Sequence, residues 1–191
     1  MPALLRTFVA VEIPEEVRAA LAAVQSHLRQ RRVRARWVRP QGMHLTLKFL
    51  GDIPADQIPS VADALQTAAG GHVGFSLTAA GIGVFPALRR PRVVWAGFSG
   101  GTGPLADLQA SVEERLAAAG FSREDRPFRA HLTIGRCSEA VAPAVVGEAV
   151  NSFAGRRFGE FDVRELVLFQ SELKPDGPVY TALARVKLNE P

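Results

Sequence analysis

His44-Leu45-Thr46-Leu47 and His131-Leu132-Thr133-Ile134 are two copies of one pattern, set far apart in the chain. Successive side chains of a strand point to opposite faces, so a His and a Thr two positions apart share one face. Leu45, Leu47, Leu132 and Ile134 share the other face and read as core. Each copy is therefore a half-buried strand that presents an imidazole and a hydroxyl to a polar cleft. One such strand fits a buried structural histidine equally well. Two matched copies fit two strands that face each other and hold a histidine on either side of one small substrate.

Working outward, residues 4–11 read as a strand, and Pro14 opens a helix to about Arg31 with Val17, Leu21, Val24 and Leu28 on one face. The first motif lies in a strand at 43–50, and a helix follows the Asp52, Pro54 and Pro59 turn signals to about Ala69. Residues 73–84 and 92–98 alternate like strands across the Pro86–Pro91 turn. A helix is expected at 104–119, ended by Gly120, and the second motif at 128–136. A helix near 143–153 and strands near 158–170 and 179–188 complete the chain. The order has a loose twofold character. It predicts an α+β fold in one bilobal domain spanning residues 1–191, with two antiparallel-rich sheets, outer helices and a cleft between the lobes.

Hydrophobic residues at 47% against 22% charged describe an ordinary globular chain, and no apolar run nears the roughly 20 residues of a membrane span. The N-terminus lacks the long apolar stretch of a signal peptide, and Cys137, the single cysteine, can form no internal disulfide. Both features point to the cytoplasm, with the thiol as a spectator and no membrane partner. Of the 23 basic residues only Lys48, Lys174 and Lys187 are lysines, and the net charge of +4 favours an anionic partner. Arginine suits forked phosphate contacts, although genomic composition also produces such a bias.

The paired motifs resemble the signatures of the two-histidine phosphoesterase superfamily, in particular its RNA 2′,3′-cyclic phosphodiesterases, also called 2′-5′ RNA ligases. Other stretches share the resemblance: Arg6-Thr7-Phe8-Val9-Ala10-Val11, Lys48-Phe49-Leu50-Gly51, Gly83-Val84-Phe85-Pro86, Arg90 to Gly97, Phe128-Arg129 and Leu168-Phe169-Gln170-Ser171. Ala130 departs from it, since the family favours proline there. The resemblance implies two lobes with the N- and C-terminal segments in one of them. It also implies metal-independent opening of RNA 2′,3′-cyclic phosphate ends, tRNA fragments among them, to a 2′-phosphomonoester, with weak 2′-5′ joining as the reverse. It makes His44 the proton donor, His131 the acceptor, and Thr46 and Thr133 the phosphate-binding hydroxyls. Symmetry makes the reverse acid–base assignment physically acceptable.

The chemistry suits the residues. Histidine titrates near neutrality, in-line displacement puts attacking and leaving oxygens on opposite sides of phosphorus, and hydroxyls can hold the non-bridging oxygens. Lys48 shares the His44 face by strict alternation, so it either lines the cleft or is a solvated strand-end lysine. Arg136 matches a phosphate-stabilising arginine of the family. Alternation turns it away from His131, and Gly135 is where the strand can bend to bring it back. Phe49 and Phe85 are candidates for stacking a base or for the core.

Arg29, Arg31, Arg32, Arg34, Arg36 and Arg39 form a basic run that is either a solvated face or, beside motif one, a holder of RNA phosphates. Gly100-Gly101-Thr102-Gly103 lacks the ending of a nucleotide-binding loop and reads as a connector. His27 and His72 lack a paired Thr and are left as surface or structural residues. No metal-ligand pattern and no cofactor signature is present, and a monomer with no obligate protein partner is the default. Two other readings stay open: a binding module that holds phosphate without turnover, and an enzyme for another small cyclic or 2′-5′ phosphodiester.

Overall fold

A computed structural model of the chain describes residues 3–175 and 177–190. In chain order the elements are β1 (Leu4–Glu12), α1 (Glu15–Gln30), β2 (Ala35–Trp37), β3 (His44–Pro54), α2 (Ile58–Ala69), β4 (Phe75–Ala87), β5 (Arg90–Gly100) and α3 (Thr102–Ala118). They continue with β6 (Leu132–Cys137), α4 (Pro143–Asn151), β7 (Arg157–Val163), β8 (Glu165–Lys174) and β9 (Gly177–Lys187). The stretch expected as one strand at 158–170 breaks at Arg164, which separates β7 from β8. These two strands go to opposite halves of the sheet, β7 to one edge and β8 next to the other, a topology that side-chain alternation carries no information about. The three-residue β2 was not anticipated from the sequence; its length is too short to show a period.

All ladders between these strands are antiparallel. They run in the order β7-β4-β5-β6-β3-β1-β8-β9, with β2 attached to β6 beside this path. Four strands on either side of the β6–β3 seam give the two halves. At the seam β3 and β6 pair through Leu45 and Leu132 alone. The two sheets expected from the sequence are therefore one continuous sheet, narrowed to a single residue pair where the lobes meet.

The helices stitch the halves together. α1 leaves β1 in one half and packs on β6 and β7 of the other, and α4 packs on β4 and β5. α2 and α3 pack on each other, α2 also on β8 and β9, and α3 on β3. Helix α1 forms because Val17, Leu21, Val24 and Leu28 recur on one buried face, with Glu15 and Glu16 at its positive end and Arg29 at its negative end. The side chains that the helices cover form one core running through both lobes and including Leu45, Leu47, Leu132 and Ile134. A separate small cluster, Phe8, Ala10, Val167 and Phe169, lies with Tyr180 apart from that core. Among the described residues no helix is long and apolar enough to cross a membrane.

The seam makes a stability prediction. Leu45 and Leu132 are both fully buried, so Leu132→Ala removes a large side chain from the one ladder pair between β3 and β6. Urea unfolding is expected to show a loss of about 2–5 kcal/mol at unchanged m-value. A loss below about 1 kcal/mol would show that the seam bears little of the fold's stability.

Candidate active site

The Leu45–Leu132 pair fixes where the motif side chains go. In an antiparallel ladder the neighbours of a paired residue flank the neighbours of its partner, and all of them point to the opposite face. His44 and Thr46 on β3 thus meet Thr133 and His131 at β6 on one face, with the histidines at opposite corners. All four are half-buried. The two copies of the motif therefore make one site.

Each strand then carries a β-bulge at the same motif position. β3 pairs Thr46 with Ala10 and Lys48 with Val9, so Leu47 is the extra residue. β6 pairs Thr133 with Trp95 and Gly135 with Val94, so Ile134 is the extra residue. A bulge reverses the facing of everything beyond it. Leu47 and Lys48 both turn to the helix side, as do Ile134 and Gly135, and Phe49 and Arg136 turn to the histidine side. Phe49 is 66% exposed, 6.0 Å from the Phe8 ring that stacks on His44 at 4.6 Å. The Tyr180 ring meets His44 edge-on at 5.0 Å; burial pushes the Tyr180 hydroxyl pKa up, and the charges of Arg136 and Arg6 oppose this.

Both bulge carbonyls find a glutamine. Gln25 of α1 donates to Ile134 O at 2.8 Å and to Val38 O at 2.7 Å, and Gln109 of α3 donates to Leu47 O at 3.4 Å. Ile134 O also accepts from Val38 N at 3.0 Å, so Gln25 is its second donor, whereas Leu47 O takes its donor from the helix beneath. Gly135 is required for a different reason: a Cβ there would sit 2.8 Å from the Trp37 ring.

The bulge corrects the expectation for Lys48. It is neither in the cleft nor solvated. Its Nζ lies 2.6 Å from Glu113 Oε1 and donates to Ser122 O at 2.7 Å, and Glu113 Oε1 also accepts from Glu124 N at 2.8 Å. With side-chain exposures of 3% and 13%, this is a buried ion pair tying β3 to α3 and to the segment that leads to motif two. Lys48→Ala is expected to cost about 3–5 kcal/mol by leaving the Glu113 charge alone. The folded fraction should keep kcat within about twofold of wild type; a fall beyond tenfold at unchanged stability would return Lys48 to the cleft.

The aromatic residues around the histidines were only partly visible in the sequence. Phe85 was a candidate, and its ring meets His131 edge-on at 5.1 Å while leaning on Trp95 at 5.0 Å. Tyr180 carried no signal. It reaches His44 from β9, near the far end of the chain, and a Cβ on Gly42 would lie 3.5 Å from its ring. The basic run is also moved: β2 pairs with β6, so Arg36 stands beside motif two rather than motif one. His27 packs edge-on against Phe153 at 5.1 Å and His72 bonds Ser111 at 2.8 Å, both away from the motif histidines in the fold. Among the described residues no three His, Cys, Asp or Glu side chains converge in a way that would hold a metal ion.

The model of the family described as LigT like Phosphoesterase matches residues 11–95 and 99–180. The chain belongs to the LigT-like phosphoesterase family. An RNA 2′,3′-cyclic phosphodiesterase of Thermus thermophilus is 39% identical over 96% of this chain and 90% of its own length. Another, of Archaeoglobus fulgidus, is 35% identical over 94% of this chain and 98% of its own. The crystal structure of E. coli LigT complexed with 3′-AMP superposes with a TM-score of 0.80 at 27% identity, covering 98% of this chain and 99% of that one.

In this LigT-like phosphoesterase the two histidines have unlike surroundings. His131 Nδ1 lies 2.6 Å from the Arg129 carbonyl, which can only accept, so Nδ1 carries a proton and the neutral ring keeps its lone pair on Nε2. His44 is enclosed by Phe8, Phe169 and Tyr180. Burial pushes its pKa down to about 4, a hydrogen bond to the Gly42 backbone opposes this, and the Arg18 charge adds to the lowering. His44 is therefore neutral at pH 7 in the free protein.

Since folding lowers this pKa from 6.5 to about 4, the unfolded chain binds more protons, and stability should fall as pH drops through that window. An NMR titration of the His44 ring is expected to show a midpoint near pH 4, moving upward when inorganic phosphate is added. A midpoint at the ordinary histidine value of about 6.5 would overturn the desolvated site.

Proposed function

We propose that this protein opens the 2′,3′-cyclic phosphate at RNA ends, leaving a 2′-phosphomonoester, with His44 and His131 as the acid–base pair and no metal in the reaction. The observation that carries the reading is the single Leu45–Leu132 pairing, which brings both His-Thr pairs onto one face. The names of the relatives from Thermus thermophilus and Archaeoglobus fulgidus support the substrate class.

In the reaction, His131 Nε2 takes the proton of a water molecule whose oxygen attacks phosphorus. The bond from phosphorus to the ribose 3′ oxygen breaks, and His44 supplies the proton which that oxygen needs. The fixed Nδ1–H of His131 supports its role as base, because it leaves a lone pair on the other nitrogen. His44 must acquire its proton as the substrate binds. The phosphate anion brought beside it favours the imidazolium that burial disfavours in the free protein.

Thr46 and Thr133 hold the non-bridging oxygens, and Arg136 adds a full positive charge where negative charge gathers. Phe49, exposed on the same face, is placed to stack the terminal base. By microscopic reversibility the same groups allow weak 2′-5′ joining of RNA ends. We read the protein as acting as a monomer on RNA ends, including tRNA fragments, in the cytoplasm, where its one thiol stays reduced.

The test is a short RNA ending in a 2′,3′-cyclic phosphate, incubated in EDTA and followed by phosphorus NMR. Turnover to the 2′-phosphate is expected, with losses of about 10²–10⁴-fold in His44→Ala and in His131→Ala. Activity abolished by EDTA and restored by a divalent ion would defeat the metal-free mechanism. RNA bound without turnover would leave a binding module in place of an enzyme.

A further inference from the structure

Strand β2 pairs with one edge of β6 while β5 pairs with the other, and Arg36 stands directly opposite Arg136. Cross-strand partners share a face, so the bulge that turns Arg136 toward the histidines brings Arg36 with it. Both are exposed. Like charges directly opposite each other on a sheet repel, and proteins ordinarily relieve this with a nearby carboxylate. Among the described residues Arg34, Arg36, Arg39 and Arg136 have no carboxylate within ion-pair distance.

Other members of the same run are engaged by the protein itself. Arg31 meets Glu148 at 3.5 Å, and the Arg29 guanidinium lies over the Trp37 ring, 5.4 Å from its centre. The run thus divides into arginines that hold α1 and the loop after it in place and arginines left facing outward. Arg34, one residue before β2, is exposed, and its carbonyl accepts from Ser138 N at 3.0 Å, continuing the pairing with β6, so alternation puts it on the face of Arg36.

We propose that Arg34 and Arg36 form a track for the phosphodiester backbone of the RNA strand that leads to the reacting end. The proposal rests on the RNA reading of the cleft and adds to it a site outside the catalytic groups. Arg136 lies next to the reacting phosphate. Arg36 is one inter-strand spacing further out, about 4.8 Å, and Arg34 two residues beyond it along the strand. The guanidinium fork binds phosphate oxygens in a planar, two-point fashion without reading bases. The track therefore gives affinity for chain length and not for sequence. It also explains a like-charged pair on an edge strand: the missing counter-charge is supplied by the ligand.

The test compares Arg34→Gln/Arg36→Gln with wild type on two substrates, a nucleoside 2′,3′-cyclic monophosphate and an RNA decamer with a 2′,3′-cyclic phosphate end. The double variant is expected to hydrolyse the mononucleotide within about twofold of wild type, while KM for the decamer rises roughly tenfold. The slope of log KM against log salt for the decamer should become shallower by about 1.4, as two phosphate contacts on a single strand require.

A fluorescence anisotropy titration of a labelled decamer ending in a 2′-phosphate runs beside these assays and needs no turnover. If wild type hydrolyses neither substrate, the cyclic phosphodiesterase reading fails. The track then still stands if the double variant binds the decamer about tenfold more weakly, and falls if it binds equally. Equal KM values and equal salt slopes for the decamer in an active enzyme would likewise overturn it.

Discussion

The pairing of Leu45 with Leu132 is the constraint on which the rest of this molecule depends. The ladders within each half are long, and helices that cross between the halves bury one shared core beneath them. What neither half can do alone is place one motif opposite the other. The seam does so with one pair of apolar residues whose side chains lie in the core and whose neighbours on either side must then face away from it. Beyond that pair the two strands have no further ladder between them. This leaves room for a substrate between the histidines, which a continuous ladder would close.

The two bulges come next. Alternation is the rule by which a strand is read from its sequence, and it places the motif residues correctly. It fails at the fifth and sixth residues of each motif because an extra residue enters the strand there. Nothing in Leu47-Lys48 announces a bulge. Gly135 gives a hint in the second copy, and there the turn of Arg136 back toward the histidine was legible. Alternation offered Lys48 the cleft or solvent, and the bulge buries it against Glu113 and Ser122 instead; the matching bulge in β6 turns Arg136 the other way. The bulges are held by Gln25 and Gln109, from helices distant in sequence, and such partners cannot be inferred from local pattern. The same limit hid Tyr180, whose role depends on how β9 returns to the far side of β1 and β8.

The motif is nearly symmetric while its environment is not. His44 is packed among aromatic rings that join strands of the first lobe, and desolvation makes its charged form costly. His131 sits at the start of its strand with one nitrogen committed to a backbone carbonyl. The two identical side chains thus differ in burial and in hydrogen bonding: His44 is desolvated, and His131 has one nitrogen held by a carbonyl. An anion brought beside His44 would favour the charged ring that burial disfavours.

The lobes also differ in how they fill the position after the bulge, and this difference gives the site a direction. In the first lobe Lys48 reaches Glu113 and Ser122 and fastens the segment leading to motif two beneath β3. In the second, Gly135 leaves space for Trp37 to lie across the strand. Trp37 pairs with Gly135 in the same short ladder that sets Arg36 opposite Arg136. A larger residue at Gly135 would push out Trp37 and with it the strand that carries the basic run. The cationic edge therefore belongs to one lobe, and a strand whose end lay between the two similar motifs would meet positive charge on one side of them. A pseudo-symmetric cleft would accept the strand in either sense. The asymmetry introduced by one glycine and one tryptophan removes that ambiguity.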